Sequence, residues 1–151
     1  MKGPLLLDQP WGLEGLCGFT STRQGGTSVG AYDSLNLGLN TADAPAAVVR
    51  NRRLALEARG LDPAKAVYAC QVHGDGIMEV TAADEGSGTL DWNRGLPDCD
   101  AVFTRCRGLP LCIGHADCLV VAVADPVAGL LGLAHAGWRG ALAELPAKLL
   151  R

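Results

Sequence analysis

Six cysteines and three histidines carry most of the metal-binding and nucleophilic chemistry open to this 151-residue chain. The cysteines are Cys17, Cys70, Cys99, Cys106, Cys112 and Cys118, with no C-x-x-C pair among them. At 48% hydrophobic the chain is too long and too apolar for a disulfide scaffold, so free thiols are expected. Cys118 opens an apolar run that reaches Ala124, and a second run from Gly129 to Ala134 leads into His135. Asp125-Pro126-Val127-Ala128 reads as the turn between them, with Pro126 at its second position. A register that pairs Ala124 with Gly129 sets Cys118 directly opposite His135 on one sheet face. Such partners have Cβ atoms about 4.5–5.5 Å apart. That spacing suits a thiolate and an imidazole sharing one metal, at about 2.3 Å and 2.0–2.1 Å. His73, in His73-Gly74-Asp75-Gly76, is a candidate third ligand. Three protein ligands and one open position describe a catalytic zinc site, whereas four ligands close a structural one. His115-x-x-Cys118 is a competing local pair that spacing does not rank against His73. The plainer alternative is a buried apolar cysteine with hydrogen-bonded strand-end histidines.

A set of two histidines and one cysteine also suits a blue-copper site. A multicopper oxidase needs a further histidine cluster for dioxygen reduction, which this chain alone cannot build from His73, His115 and His135. A single copper stays open as the less favoured metal.

The elements that must position these residues form a mixed α/β pattern. Leu16 to Thr20 reads as a strand running into the small, polar Ser21–Ser28 loop. Pro45 to Arg59 reads as a helix, with Asp43 as its cap and Gly60 as its stop. Ala66–Gln71 and Ile77–Thr81 are β-prone runs on either side of His73–Gly76, which predicts a hairpin or a tight bend. Ala101–Thr104, Leu109–Ile113, Cys118–Ala124 and Gly129–Ala134 are further strands, and the third is apolar at both parities, so both its faces should be buried. Trp138 to Arg151 reads as helical, with a kink or a break at Pro146.

One domain is the prior at this length, with a core that needs no staples. A formal net charge of −3 disfavours nucleic acid as a partner. No apolar run approaches the roughly 20 residues of a membrane span. Leu5-Leu6-Leu7 is too short for a signal-peptide core and Lys2 is a poor basic flank, so a cytoplasmic protein is expected.

Gln71-Val72-His73-Gly74, Ala116-Asp117-Cys118 and His135-Ala136-Gly137-Trp138-Arg139-Gly140 together resemble the YfiH-like family, also called multicopper polyphenol oxidase or laccase-domain proteins. Ser21-Thr22-Arg23-Gln24-Gly25-Gly26, Ser34-Leu35-Asn36-Leu37-Gly38 and Asn51-Arg52 fit the same family in the same order. The likeness runs from about Phe19 to Gly140, and the H-A-G-W-R-G hexapeptide after an A-D-C is highly specific. It implies a layered α/β/β/α arrangement of mixed sheets, like the catalytic domain of cytotoxic necrotizing factor. It also implies a zinc trio of His73, Cys118 and His135.

The implied activity is phosphorolysis of adenosine, inosine and methylthioadenosine, and deamination of adenosine, so the expected partners are a nucleoside and phosphate. Zinc lowers the pKa of a bound water towards about 7, which suits attack at C6 of adenosine. The H-x-E…P-C-x-x-C signature of nucleobase deaminases is absent, so the scaffold would be a different one. Phosphate calls for cationic and N–H donors. Arg139, at the start of a possible helix between Gly137 and Gly140, and Arg23, beside Gly25-Gly26, are the candidates. The resemblance adds Asn36 and Gln71 as substrate contacts, and His115 and Asp117 as residues behind the ligands. His115 departs from the family, which has a small hydroxyl residue there.

Family members continue beyond H-A-G-W-R-G, whereas this chain reaches Arg151 within an apolar run. The expectation is a fold incomplete at its C-terminus, with self-association as one way to cover apolar edges. The alternatives to a nucleoside enzyme are a metal-free Cys118–His135 amide hydrolase, such as one editing peptidoglycan precursors, and a non-catalytic zinc-binding module.

Overall fold

A computed structural model describes residues 3–9 and 11–151, so the flank at Lys2 lies outside the described residues. The chain divides into two compact units, Met1–Pro63 and Ala64–Arg151.

In the first unit β1 (Leu6–Asp8) pairs antiparallel with β2 (Phe19–Ser21), in a register that sets Leu6 against Ser21. The expected Leu16–Thr20 strand therefore starts later, at Phe19. Helix α1 (Pro45–Glu57) lies where the pattern placed it, and it buries Val48, Asn51, Arg52, Ala55 and Leu56. Asp43 is not its side-chain cap: Ala44 holds the N-cap position and the helix opens on a proline. The Asp43 carboxylate instead accepts from Ser28 Oγ at 2.6 Å and Asn36 Nδ2 at 3.0 Å. Those bonds, the one from Ser28 foremost, hold its pKa below the usual carboxylate value.

The second unit contains β3 (Val67–Tyr68), β4 (Ile77–Glu79), β5 (Ala101–Thr104), β6 (Leu111–Cys112), β7 (Leu119–Asp125) and β8 (Leu130–Ala136). A four-stranded sheet runs in the order β4-β5-β8-β7, and a separate pair joins β3 to β6. Of the hairpin or tight bend predicted around His73, the chain makes a bend at His73-Gly74 and no hairpin. β3 pairs in parallel with β6, and β4 in parallel with β5. The backbone amides of residues 72–74 turn instead toward Asp100, and the Gly76 carbonyl accepts from Asp100 and Ala101. Val67, Ala69, Val80, Leu96, Cys99, Val102 and Leu109 form one core, and Ala101 and Ala134 form another with Leu145 and Leu149.

The β7–β8 hairpin forms, with a shifted turn. Asp125 pairs with Leu130, and the loop is Pro126–Gly129. Asp125 Oδ1 accepts from the amides of Val127 and Ala128 at 2.8 and 2.9 Å, and Gly129 closes the loop at φ 64. Because β7 is the last strand of the sheet, its residues are half-buried at best, and the both-faces-buried expectation fails there. β8, paired on both sides, holds the buried Gly132, Ala134, His135 and Ala136.

The C-terminal helix is interrupted before Pro146. α2 (Trp138–Leu142) and α3 (Leu145–Leu149) are separated at Glu144, whose φ is 58, and Pro146 lies in the first turn of α3. In that position its missing N–H has no helical partner to lose. No described helix is long and apolar enough to cross a membrane.

Candidate metal centre

His135 lies near the C-terminal end of β8, 3% exposed, and pairs with Val120 rather than with Cys118. The turn's shift moves each arm by one residue, so face parity is preserved. Cys118, just ahead of β7 and two residues from Val120, becomes a diagonal neighbour of His135 instead of a direct one, still within reach for a long side chain.

His73 arrives from the loop between β3 and β4, with an exposed ring and a backbone φ of 60. The rings of His73 and His135 meet edge to face, centroids 4.8 Å apart and planes at 85°. The ligand atoms of His73, Cys118 and His135 all lie within 4.8 Å of one another. Two ligands on one tetrahedral zinc sit roughly 3.3–3.6 Å apart. A zinc ion held there would call for up to about 1 Å of side-chain closure.

Gly137 supplies the room. A Cβ there would stand 3.3 Å from Cys118 Sγ, 3.3 Å from His73 Cδ2 and 3.7 Å from His135 Cε1. Its φ of −61 is open to any residue, so it is space that this position requires. Two imidazoles, a thiol and a space enclosed by all three suit a borderline-soft cation. The trio could hold a metal ion.

Asp100, fully buried, stands behind it. Its Oδ1 lies 2.8 Å from His135 Nδ1 and accepts from the His73 amide at 3.0 Å. Its Oδ2 accepts from the amides of Val72 at 3.0 Å and Gly74 at 2.8 Å. On the other flank Gln71 clamps the loop before Cys118. Its Nε2 donates to the Gly114 carbonyl and its Oε1 accepts from the Gly114 amide, both at 2.8 Å.

The family model for multi-copper polyphenol oxidoreductase laccase matches residues 17–151. The chain belongs to this family. YlmD of Geobacillus stearothermophilus, described as a purine nucleoside phosphorylase, is 42% identical over 120 residues, 80% of this chain and 44% of its own length. A Streptomyces coelicolor protein of the same description is 45% identical over 127 residues, 83% of this chain and 49% of its own. Among solved structures, Geobacillus YlmD superposes with a TM-score of 0.88 at 38% identity, covering 90% of this chain and 50% of that one. Bacillus licheniformis YfiH gives 0.87 at 34%, covering 88% and 50%. The chain spans about half the length of the curated relatives it matches. Its mixed α+β class is that of its structural neighbours in this laccase-like family.

The multi-copper label meets a single His-Cys-His group among the described residues, and His115 is outside it. His115 and Asp117 are exposed. Arg139 is exposed, its guanidinium 5.1 Å from the Trp138 ring centre. In the first unit Arg23 donates to the carbonyls of Asp33 at 2.8 Å and Ala31 at 3.4 Å. Asn36 donates to Thr41 and Asp43 and accepts from the Gly38 amide. Sequence reasoning missed Asp100. The only trace was an acidic residue immediately before the apolar Ala101–Thr104 strand, a place that many surface aspartates share.

Proposed function

We propose that this chain carries the zinc site of a purine nucleoside enzyme that cleaves adenosine, inosine or methylthioadenosine with phosphate and deaminates adenosine. What carries the reading is the convergence of His73, Cys118 and His135 to within 4.8 Å, in a chain whose relatives are described as purine nucleoside phosphorylases. Zinc held by these residues would supply Lewis acidity and, for deamination, an activated water.

The residues of the chain do the rest. With Nδ1 of His135 taken by Asp100, Nε2 is its free ring nitrogen for the metal. The exposed His73 leaves one side of the trio open to a ligand. In phosphorolysis a phosphate oxygen bonds to C1′ of the ribose while the glycosidic bond breaks. The purine leaves with the electron pair and takes up a proton. The incoming phosphate needs a fixed cation, and the planar guanidinium of Arg139 offers two parallel donors. Arg23 ranks second because its guanidinium already holds the Asp33 and Ala31 carbonyls. Asn36 and Gln71, occupied with their own loops, rank lower as substrate contacts.

Zinc content by elemental analysis and release of free base from adenosine with phosphate test the reading. Cys118→Ala should lose zinc and lower both phosphorolysis and deamination by at least a hundredfold while the fold persists. Undiminished activity in that variant would sink it.

Asp100, His135 and Cys118 support a second reading, an orienting carboxylate, base and nucleophile set for amide hydrolysis, as in removing a wrong first amino acid from a peptidoglycan precursor. Alkylation separates the two. Protection of Cys118 until a chelator is added favours zinc, and immediate modification of protein as purified favours the hydrolase.

A further inference from the structure

We infer that Asp100 is the positioning residue of the metal centre: one buried carboxylate both sets the ring state of His135 and folds the loop that delivers His73. The inference rests on the metal-binding reading of the trio.

An ionised carboxylate only accepts hydrogen bonds. At 2.8 Å from Oδ1, His135 Nδ1 must therefore carry the hydrogen, which leaves the lone pair on Nε2. The same oxygen receives the His73 amide, and Oδ2 receives those of Val72 and Gly74. Three consecutive amides converging on one carboxylate bend the chain there, and His73 at their centre takes its positive φ. The backbone of Asp100 contributes as well. Its carbonyl accepts from the His135 amide at 2.7 Å, and its amide donates to Gly76. The two histidines, 62 positions apart in sequence (73 and 135), thus share one anchor. Both partners of the anchor, the carboxylate and the imidazole of His135, are almost wholly shielded from water. Removing an acceptor there leaves a donor with no solvent to replace it.

Asp100→Asn keeps the size and replaces one oxygen with a donor. If the new NH2 faces His135, it donates to Nδ1, drives the ring to the Nε2–H form and removes a metal lone pair. If it faces the loop, it meets the Val72 and Gly74 amides donor to donor and opens the turn that carries His73. Either way the trio loses a member.

Zinc affinity, measured by competition with a chromophoric chelator, should fall about 10–100-fold in Asp100→Asn. An affinity within threefold of wild type, in protein whose circular dichroism is unchanged, overturns the inference. A second measurement does not need the variant to fold. Long-range nitrogen–proton NMR of the metal-free wild type should report Nδ1–H for His135, and Nε2–H overturns the inference. A wild type that binds no zinc but shows Nδ1–H would refute the zinc reading while upholding the role of Asp100 in setting the ring.

Discussion

Each unit of the molecule is organised around one buried polar side chain, and the two differ in what they leave over. In the first, Asn51 is fully buried on α1. Its Oδ1 accepts from the amide and hydroxyl of Thr27, at 2.7 and 3.0 Å. Its Nδ2 donates to Ser28 Oγ and to the carbonyls of Ser34 and Asn36. Thr27 and Ser28, which follow the S-T-R-Q-G-G stretch, and the S-L-N-L-G stretch are gathered by this amide, and Arg52 adds a bond to the Leu37 carbonyl. In the second unit, Asp100 likewise gathers consecutive loop amides, but its fourth partner is an imidazole with a second nitrogen still available. A neutral amide has both donors and acceptors and can close a network on itself. A carboxylate has only acceptors, so it organises donors and leaves their far sides free for chemistry. Two motif-rich regions thus differ in what they leave available: one holds loops, and the other brings together a group that could hold a metal.

The comparison breaks most readily at Asn51. Replacing it with leucine strands the Thr27 amide and the Asn36 carbonyl, leaving the Ser34 carbonyl only its bond from the Ser28 amide, and should cost about 3 kcal/mol or more in denaturant unfolding. Zinc affinity of the folded fraction should stay within threefold of wild type. A tenfold loss would mean that the two networks are not separate in function.

Gly137→Ala should do the reverse. The added methyl enters the space between Cys118 and His73, so zinc affinity should drop on the order of tenfold. Stability should change by less than about 1.5 kcal/mol, because the backbone angle suits alanine and the neighbours are side-chain atoms. A melting temperature that falls while zinc affinity holds would contradict the assignment of that space to the metal.

A smaller effect lies beside Asp100. Burial, then the negative charge of Asp100, pushes the Cys99 thiol up to about 11. Its ionisation is thus suppressed in the folded chain relative to the unfolded one. The contribution to stability is complete below an ordinary thiol pKa of about 8.5 and is lost as pH rises through about 11. Cys99→Ala should therefore flatten the alkaline decline of stability between about pH 9 and 11, while leaving its slope near neutrality unchanged. An identical alkaline limb in the variant would remove Cys99 from that account.

Particular residues mark how much was legible beforehand. α1 announced itself through its apolar residues and the Gly60 stop, although its Asp43 cap did not form, and the β7–β8 hairpin through two apolar runs around a turn. The register of that hairpin was misjudged because Asp125 and Gly129, rather than Pro126 alone, decide where the loop closes. The error was harmless to the site, since a turn displaced by one residue on each arm keeps every side chain on its face. The strands around His73 were misjudged more deeply. Nothing within a few residues of Val67 or Ile77 names a parallel partner more than 20 positions away, Leu111 or Ala101.

The sequence by itself determined the candidate ligand types, their order along the chain and the face shared by Cys118 and His135, because residue chemistry and the two-residue strand period are local properties. It also determined membership in the laccase-like family, through motifs that read without a fold. Only the tertiary structure decided that Asp100 stands behind both histidines, that Gly137 keeps their centre open, and that β7 is an edge rather than a core strand. Those outcomes depend on which distant segments share a sheet and which buried donors converge on one acceptor. Long-range burial decides that convergence, and no local stretch of the chain encodes it.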